Sequence, residues 1–357
     1  MSGSVTLHDL YWVLGEQTLS PLELFYANAL KKNGKNVNYI NIHSLYNEKY
    51  KKLSSYSHRL PRRYDNLIQK KYFELINDRL KDKFIQDKPS HIFIYNDCKL
   101  LSETLEYFQK CGTKIVVFLG DDPNYLFPAK KTFLFTVMNA DHVIVPDSGW
   151  IDGLKMLGIK NIIFSPVGTD TEVFFPVTPD SEQNKNYGSD IIFAGTGYFL
   201  NSWGIKRASV LNELSGMNFK LFGDIQWLEL FPYFPELKKH YINKTLPAAD
   251  LNIACNCAKI YPVTVNAGVV NGVSTRIFDC ISSGIFVLAE FKKDFEKFFP
   301  GGEVICFNSK NDLKDKVDYF LKNENEMKDH INKAADIVRK KYTLEILTKN
   351  ILEQIKS

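Results

Sequence analysis

The amino-acid sequence predicts an α/β protein of two halves, each a parallel sheet covered by helices on both faces. Three observations carry that prediction: the length, an alternation of strand-like and helix-like segments in the first half, and a restart of that alternation after a polar break. At 357 residues the chain exceeds what one hydrophobic core of ordinary size serves, so two domains of roughly 150 to 200 residues are expected. Apolar residues at 45% against 24% charged, with no long single-sign block, exclude a disordered or fibrous chain.

The elements follow in order. Short β-branched or aromatic runs, VTLHDLYWVL, NVNYINI, HIFIYN, KIVVFLG, HVIVP and NIIFSPV, read as six strands. Helical patterns such as Leu22 to Lys32 and Trp150 to Leu157 separate them. Alternation of this kind argues for a parallel sheet. From Val167 to Asp190 the chain carries prolines and polar residues with neither period, and reads as a linker. The pattern then resumes with DIIFAG, a helix near Lys206 to Leu214, FKLFG, LNIAC, an amphipathic helix ending at Gly284, IFVLAE, EVICF and two or three closing helices. LNIAC is taken as a strand. The helix after FAGTGYF is taken to start near Gly204 or Ile205. The boundaries expected are an N-terminal domain 1–168, a linker 169–189, a C-terminal domain 190–340 and a C-terminal helix 341–357 able to pack back on the first domain. Two such halves would leave a cleft at the carboxyl ends of their strands, where ligands bind in open α/β sheets.

Composition narrows the function classes. A net charge of +4, with Lys exceeding Arg, gives no argument for a nucleic-acid partner. One basic segment stands out, RLPRRYDNLIQKKYFELINDRLKDKF, with Leu67, Ile68, Phe73, Ile76, Leu80 and Phe84 near helical spacing. It reads as a solvated helix face or as a patch for a membrane surface or anionic acceptor. The six cysteines, including the lone pair Cys255 and Cys257, and the seven histidines show no metal-type spacing, so no metal site is expected. No apolar run is long enough to span a bilayer and no secretory pattern opens the chain, so a cytoplasmic placement is expected.

Several residues could carry chemistry. In FAGTGYFLNSWGIKR, Gly195, Thr196 and Gly197 form a tight turn before a helix whose first turns hold Lys206 and Arg207, a setting suited to bound phosphate. The glycines match neither the dinucleotide fingerprint nor the P-loop, and they could merely shape a turn. That missing fingerprint also tells against a nicotinamide-dependent oxidoreductase. In NGVSTRIFDCISSG, Ile277, Phe278 and Ile281 supply a buried stripe, with Asp279 off it and Arg276 three residues earlier. Asp279 is either an acid favoured near a helix N-terminus or a carboxylate that accepts from two sugar hydroxyls. Asp121 and Asp122 follow KIVVFLG, where paired carboxylates serve as base, metal ligands or acceptor anchors, or simply cap a turn. Trp12 and Trp203 could stack on a ligand or pack, and His142 reads as a strand residue.

The ordered set IIFAGTGYFLNSWGIKRASVLNEL, FKLFGD, NGVSTRIFDCISSG and FEKFFPGGEVICF resembles the CgeB-like glycosyltransferases, related to the group 1, or family 4, glycosyltransferases. The resemblance covers about residues 114–340. It implies a GT-B architecture, two facing Rossmann-like domains with a cleft between them. It further implies transfer of a sugar from a nucleotide-diphosphate-sugar, UDP foremost, to a hydroxyl of a glycan, protein or lipid-linked acceptor, with no further cofactor. By the resemblance Asp279 binds the ribose, while Arg207 and the amides around Gly195 to Gly197 hold the diphosphate and Arg276 neutralises it. Asn271, Ser274 and Thr275 line the donor, and Asp121 and Asp122 contact acceptor or sugar. Many family 4 enzymes carry a Glu where Asn271 stands, which bears on sugar identity and on the retaining outcome that the family favours over inversion. A non-catalytic relative that keeps the fold and binds a glycan or partner is the alternative.

Overall fold

The computed structural model describes residues 7–16, 22–45, 48–57, 59–96, 99–122 and 131–356. The chain forms two compact units, Met1–Pro146 with Trp150–Ser165 and Thr348–Ser357, and Asp147–Gly149 with Pro166–Leu347.

The first unit carries β1 (His8–Gly15), β2 (Val37–Asn41), β3 (Pro89–Tyr95), β4 (Lys114–Phe118), β5 (His142–Val145) and β6 (Ile162–Phe164). They form one parallel sheet in the order β2-β1-β3-β4-β5-β6. Runs such as IVVF in β4 are apolar throughout because a parallel strand is covered on both faces. Ile92, Ile94, Ile115 and Val117 join Trp12, Phe84 and Phe108 in the core. Trp12 is fully buried, its ring edge-on to Phe84 at 6.0 Å and its Nε1 donating to Asp87 at 3.0 Å, so it is a packing residue. The basic segment forms the helix Arg62–Asp87, which buries Tyr72, Ile76, Asn77, Leu80 and Phe84. Its contact face is rotated from the expected one: Tyr72 replaces Phe73, and Leu67 is 59% exposed. Asn77 tolerates burial because its amide donates to Phe73 O and Lys99 O and accepts the Leu101 N–H.

The second unit carries β7 (Ser189–Ala194), β8 (Phe219–Gly223), β9 (Tyr241–Asn243), β10 (Ala258–Val263), β11 (Phe286–Glu290) and β12 (Ile305–Phe307), again parallel, in the order β12-β11-β10-β7-β8-β9. Three closing helices, Lys310–Lys322, Glu324–Lys341 and Leu344–Lys356, complete the element order.

Three sequence expectations are corrected here. LNIAC is not a strand but part of the helix Ala248–Asn256, which buries Ala248, Leu251, Asn252, Ala254 and Cys255 at helical spacing. The strand is the next segment, AKIYPV, whose Pro262 lies beyond Ile260↔Ile191, the last register pair with β7, so its missing N–H interrupts no pairing there. The linker is not devoid of structure, because Asp180 and Gln183 form a capping box that starts the helix Ser181–Tyr187. Finally, the helix after the glycines begins at Ser202, since Asn201 Oδ1 accepts the N–H of Trp203 (2.9 Å) and Gly204 (3.1 Å) as its N-cap.

Candidate active site

The strand order of the second sheet reverses between β7 and β10, with β8 and β9 continuing one way and β11 and β12 the other. Ligands of open α/β sheets gather outside the carboxyl ends at such a reversal. Beyond the last pairing with β10, the Tyr261 hydroxyl takes over the role of a neighbouring strand. It accepts the Ala194 N–H (3.0 Å) and donates to Ala194 O (2.7 Å). The segments after β7 and β10 are thereby free to diverge, and the polar residues singled out in this half cluster there.

Gly195 and Gly197 shape the turn after β7. A Cβ on Gly197 would meet the Trp227 N at 2.5 Å, so only glycine fits against that backbone. Both amides are already engaged: Gly195 N–H donates to Phe222 O (3.0 Å) and Gly197 N–H to Asp224 Oδ1 (3.1 Å). Thr196 Oγ1 donates to Asp224 as well. Tyr198 and Phe199 follow at φ 62° and 56°, a left-handed pair of side-chain-bearing residues that costs of order 1–3 kcal/mol each.

Arg207 lies under this turn. Its Nη1 donates to Thr196 O (2.8 Å), its Nε to Thr264 Oγ1 (3.2 Å) and its Nη2 to Thr264 O (3.4 Å). Its guanidinium sits 4.4 Å from the Tyr198 ring centroid. Burial lowers its affinity for the proton, Tyr198 and Tyr261 oppose that, and Arg276 adds to it. Arg207 remains a cation, held flat in a fixed plane. Trp203 packs edge-on to Tyr198 at 5.4 Å.

The helix Thr275–Ser283 supplies the second group. Ser274 is its N-cap, accepting the Arg276 N–H at 3.4 Å, and Gly284 ends it at φ 89°. Thr275 is its first residue. Asp279 is not off the buried stripe but buried with it, at 8% exposure. Its Oδ1 accepts from Thr169 Oγ1 (2.9 Å), and its Oδ2 lies 3.7 Å from Arg276. Burial pushes the Asp279 carboxyl up to about 7, against the pull of Arg276 and Thr169. For Arg276, burial works against the charge, but Tyr261 and Asp279 outweigh it and hold the group above its usual range. The Arg276 side chain keeps 31% exposure.

Asn271 is occupied structurally. Its N–H donates to Asp147 Oδ1 (2.9 Å), its side-chain amide donates to Ser148 Oγ (3.1 Å), and its carbonyl accepts the Asp294 N–H (3.0 Å). Asp121 and Asp122 belong to the first unit, after β4. Asp121 accepts from Asn96 Nδ2 (3.1 Å) and is exposed. Among the described residues no three His, Cys, Asp or Glu gather as a metal site, and no helix is long and apolar enough to cross a membrane. Thr169, Tyr198, Asp224, Thr264 and Glu290 were not foreseen. Tyr198 and Asp224 lie inside the family-like stretches IIFAGTGYFLNSWGIKRASVLNEL and FKLFGD, Glu290 ends the strand-like IFVLAE, and Thr169 lies in SPVGTDTEVFFPV, which resembles the family's crossing segment, but no period singled out any of them.

The fold is GT-B, two parallel six-stranded sheets with flanking helices. Residues 206–353 match the model of a family described as glycosyl transferase-like. A sucrose-phosphate synthase from Thermosynechococcus elongatus superposes at TM-score 0.68 and 11% identity, covering 98% of this chain and 99% of that one. The trehalose-6-phosphate synthase OtsA gives 0.66 at 13% identity, with 98% and 99% covered. Anabaena Alr3699/HepE, in complex with UDP-glucose, gives 0.62 at 11%, with 97% and 98% covered. No curated protein matches by sequence.

Proposed function

We propose that this chain is a glycosyltransferase that moves a sugar from a nucleotide-diphosphate-sugar, a UDP-sugar first, to the hydroxyl of a glycan, protein or lipid-linked acceptor. One observation carries the reading: a buried carboxylate, Asp279, is paired with a partly exposed Arg276 in the first half of a helix beside the strand reversal. In a half that matches a glycosyl transferase-like model, Asp279 accepts from the ribose hydroxyls, an acceptor-only task once it is ionised. Arg276 meets the diphosphate and stabilises its charge as the sugar departs, with Arg207 supporting from its fixed plane. Because the Gly195 and Gly197 amides are spent on protein acceptors, the cations carry more of the phosphate than the turn does. Ser274 and Thr275 line the donor beside them, and Asp121 and Asp122 anchor the acceptor. The Arg276-x-Phe278-Asp279 pattern supports the narrower CgeB-like placement. Retention of anomeric configuration is the favoured outcome, in keeping with the glycosyltransfer with retention of one structural neighbour, a trehalose-6-phosphate synthase.

The test is nucleotide binding followed by turnover. UDP, GDP, dTDP, CMP and NAD are compared by thermal unfolding, where a ligand at a hundred times its dissociation constant adds about 2.7 kcal/mol. One nucleoside diphosphate is expected to stabilise wild type and to fail with Asp279→Ala. Its sugar conjugate is then consumed with acceptor extracts, and NMR of the product reads the anomer. Stabilisation by NAD alone, or by nothing, overturns the proposal. A second reading, a non-catalytic binder, is favoured by Asn271, whose amide is tied to Ser148 where many relatives present a Glu. Nucleotide-sugar binding without consumption would select it.

A further inference from the structure

At the carboxyl ends of β10 and β11 an ion pair closes a ring around a single residue's backbone. Glu290, the last residue of β11, accepts the Val265 N–H through Oε2 (3.2 Å) and the Lys206 ammonium through Oε1 (2.6 Å). Lys206 in turn donates to the Val265 carbonyl (3.0 Å). Both backbone polar groups of Val265 are thus held by the same two side chains, with Lys292 a further positive neighbour 3.8 Å from Glu290. The preceding residue, Thr264, is buried and presents both its hydroxyl and its carbonyl to Arg207. Holding Val265 therefore holds Thr264, and Thr264 sets the plane of the guanidinium against Tyr198.

We infer that Glu290 is a positioning residue of this site, acting through Lys206 and Val265 on Thr264 and so on the direction of Arg207. The inference rests on the donor-site reading above. With Lys206 39% and Glu290 17% exposed, the pair adds little net stability, since attraction and desolvation nearly offset. Its consequence is geometric. A planar fork works only when its plane is fixed, and a misplacement of about 1 Å by a group remote from the chemistry can cost about a hundredfold in rate.

The experiment compares wild type, Glu290→Ala, Glu290→Gln, Lys206→Met and the Glu290→Ala/Lys206→Met double variant. Three readouts are taken: UDP affinity by calorimetry, the Arg207 Nε–H resonance in 15N-arginine-labelled protein, and melting temperature. Glu290→Ala is expected to weaken UDP about tenfold or more and to shift or broaden the Arg207 signal. Glu290→Gln retains part of the affinity, because its amide oxygen still accepts the Val265 N–H. The double variant loses little beyond either single one, as members of one ring are not additive. A merely structural Glu290 would lower the melting temperature while UDP affinity and the Arg207 signal stay as in wild type, which overturns the inference. If wild type itself binds no nucleoside diphosphate, the donor reading fails, and the Arg207 signal judges the clamp alone: moved supports it, unmoved overturns it. Should Glu290→Ala not fold, Glu290→Gln and Lys206→Met carry the same readouts.

Discussion

Asp279 gives the sharpest residue-scale consequence. Its carboxyl is raised from 3.8 to about 7, first by burial, with Arg276 and Thr169 opposing and Asp170 adding. The native state therefore holds a proton that the unfolded chain has released, so stability falls as pH rises from about 4 to about 7, and above that the loss is complete. The slope is at most about 1.4 kcal/mol per pH unit. Asp279→Asn does not titrate, so its melting temperature relative to wild type is expected to improve across that window. Binding has the opposite sign: ribose hydroxyls favour the carboxylate, so wild-type affinity for UDP-glucose grows toward pH 8 while the variant's stays flat. Parallel curves for the two proteins, in melting and in calorimetry, would remove this assignment. Arg276 and Asp279 were legible because they sit three residues apart in one helix with an identifiable stop at Gly284. Lys206 and Arg207 were legible as cations, but not their partners. Thr264 lies 57 residues from Arg207, and Glu290 lies 84 from Lys206, distances over which no local period operates.

At the scale of elements, the helix Ser202–Asn212 is fitted to the turn before it through Gly204. A Cβ there would collide with the Phe199 carbonyl and come within 2.6 Å of the Gly197 carbonyl, both of them backbone. Gly→Ala within a helix normally gains up to about 1 kcal/mol, and here overpacking of about 1–3 kcal/mol opposes it. Gly204→Ala is expected to lower the melting temperature and to abolish the nucleotide response by displacing residues 197–199. Gly216→Ala, with open space around it, is the control and should leave both as in wild type. Equal behaviour of the two variants in differential scanning fluorimetry would show that the close approach has no consequence. The same helix marks how far the sequence carried. Its existence followed from periodicity, yet its start was placed two or three residues late because the signal is Asn201, a capping residue inside a loop-like stretch. LNIAC failed for a related reason. A five-residue, mostly apolar run fits a strand as well as a helix, and only its extension back to Ala248 after Pro247 and on to Asn256 settles the period. Pro262 likewise hid β10, since a proline inside a strand is tolerated only where its missing N–H breaks no pairing, and here it keeps register with Leu288 of β11 while lying beyond the last pair with β7.

At the scale of the whole molecule, two parallel sheets of six strands divide the chain into units whose roles need not respond to one ligand alike. The nucleotide-facing residues proposed here, Arg207, Arg276 and Asp279, with Glu290 behind them, all belong to the second unit, whereas Asp121, Asp122 and the terminal segment Thr348–Ser357 belong to the first. A ligand that binds only the native state suppresses opening wherever its contacts are lost on opening, and not elsewhere. Hydrogen exchange with and without saturating UDP should therefore slow most in peptides covering 195–207 and 264–279. The strands β1 to β6 should change less, although the same molecules are observed in the same sample. The Glu290→Ala variant sharpens the comparison: exchange in 264–272 should rise without ligand, and UDP should restore less of it than in wild type. Slowing centred on β1 to β6 instead would relocate the nucleotide to the first unit. It would also reverse the roles given to Asp121 and Asp279, because a carboxylate that anchors an acceptor has no reason to respond to UDP alone.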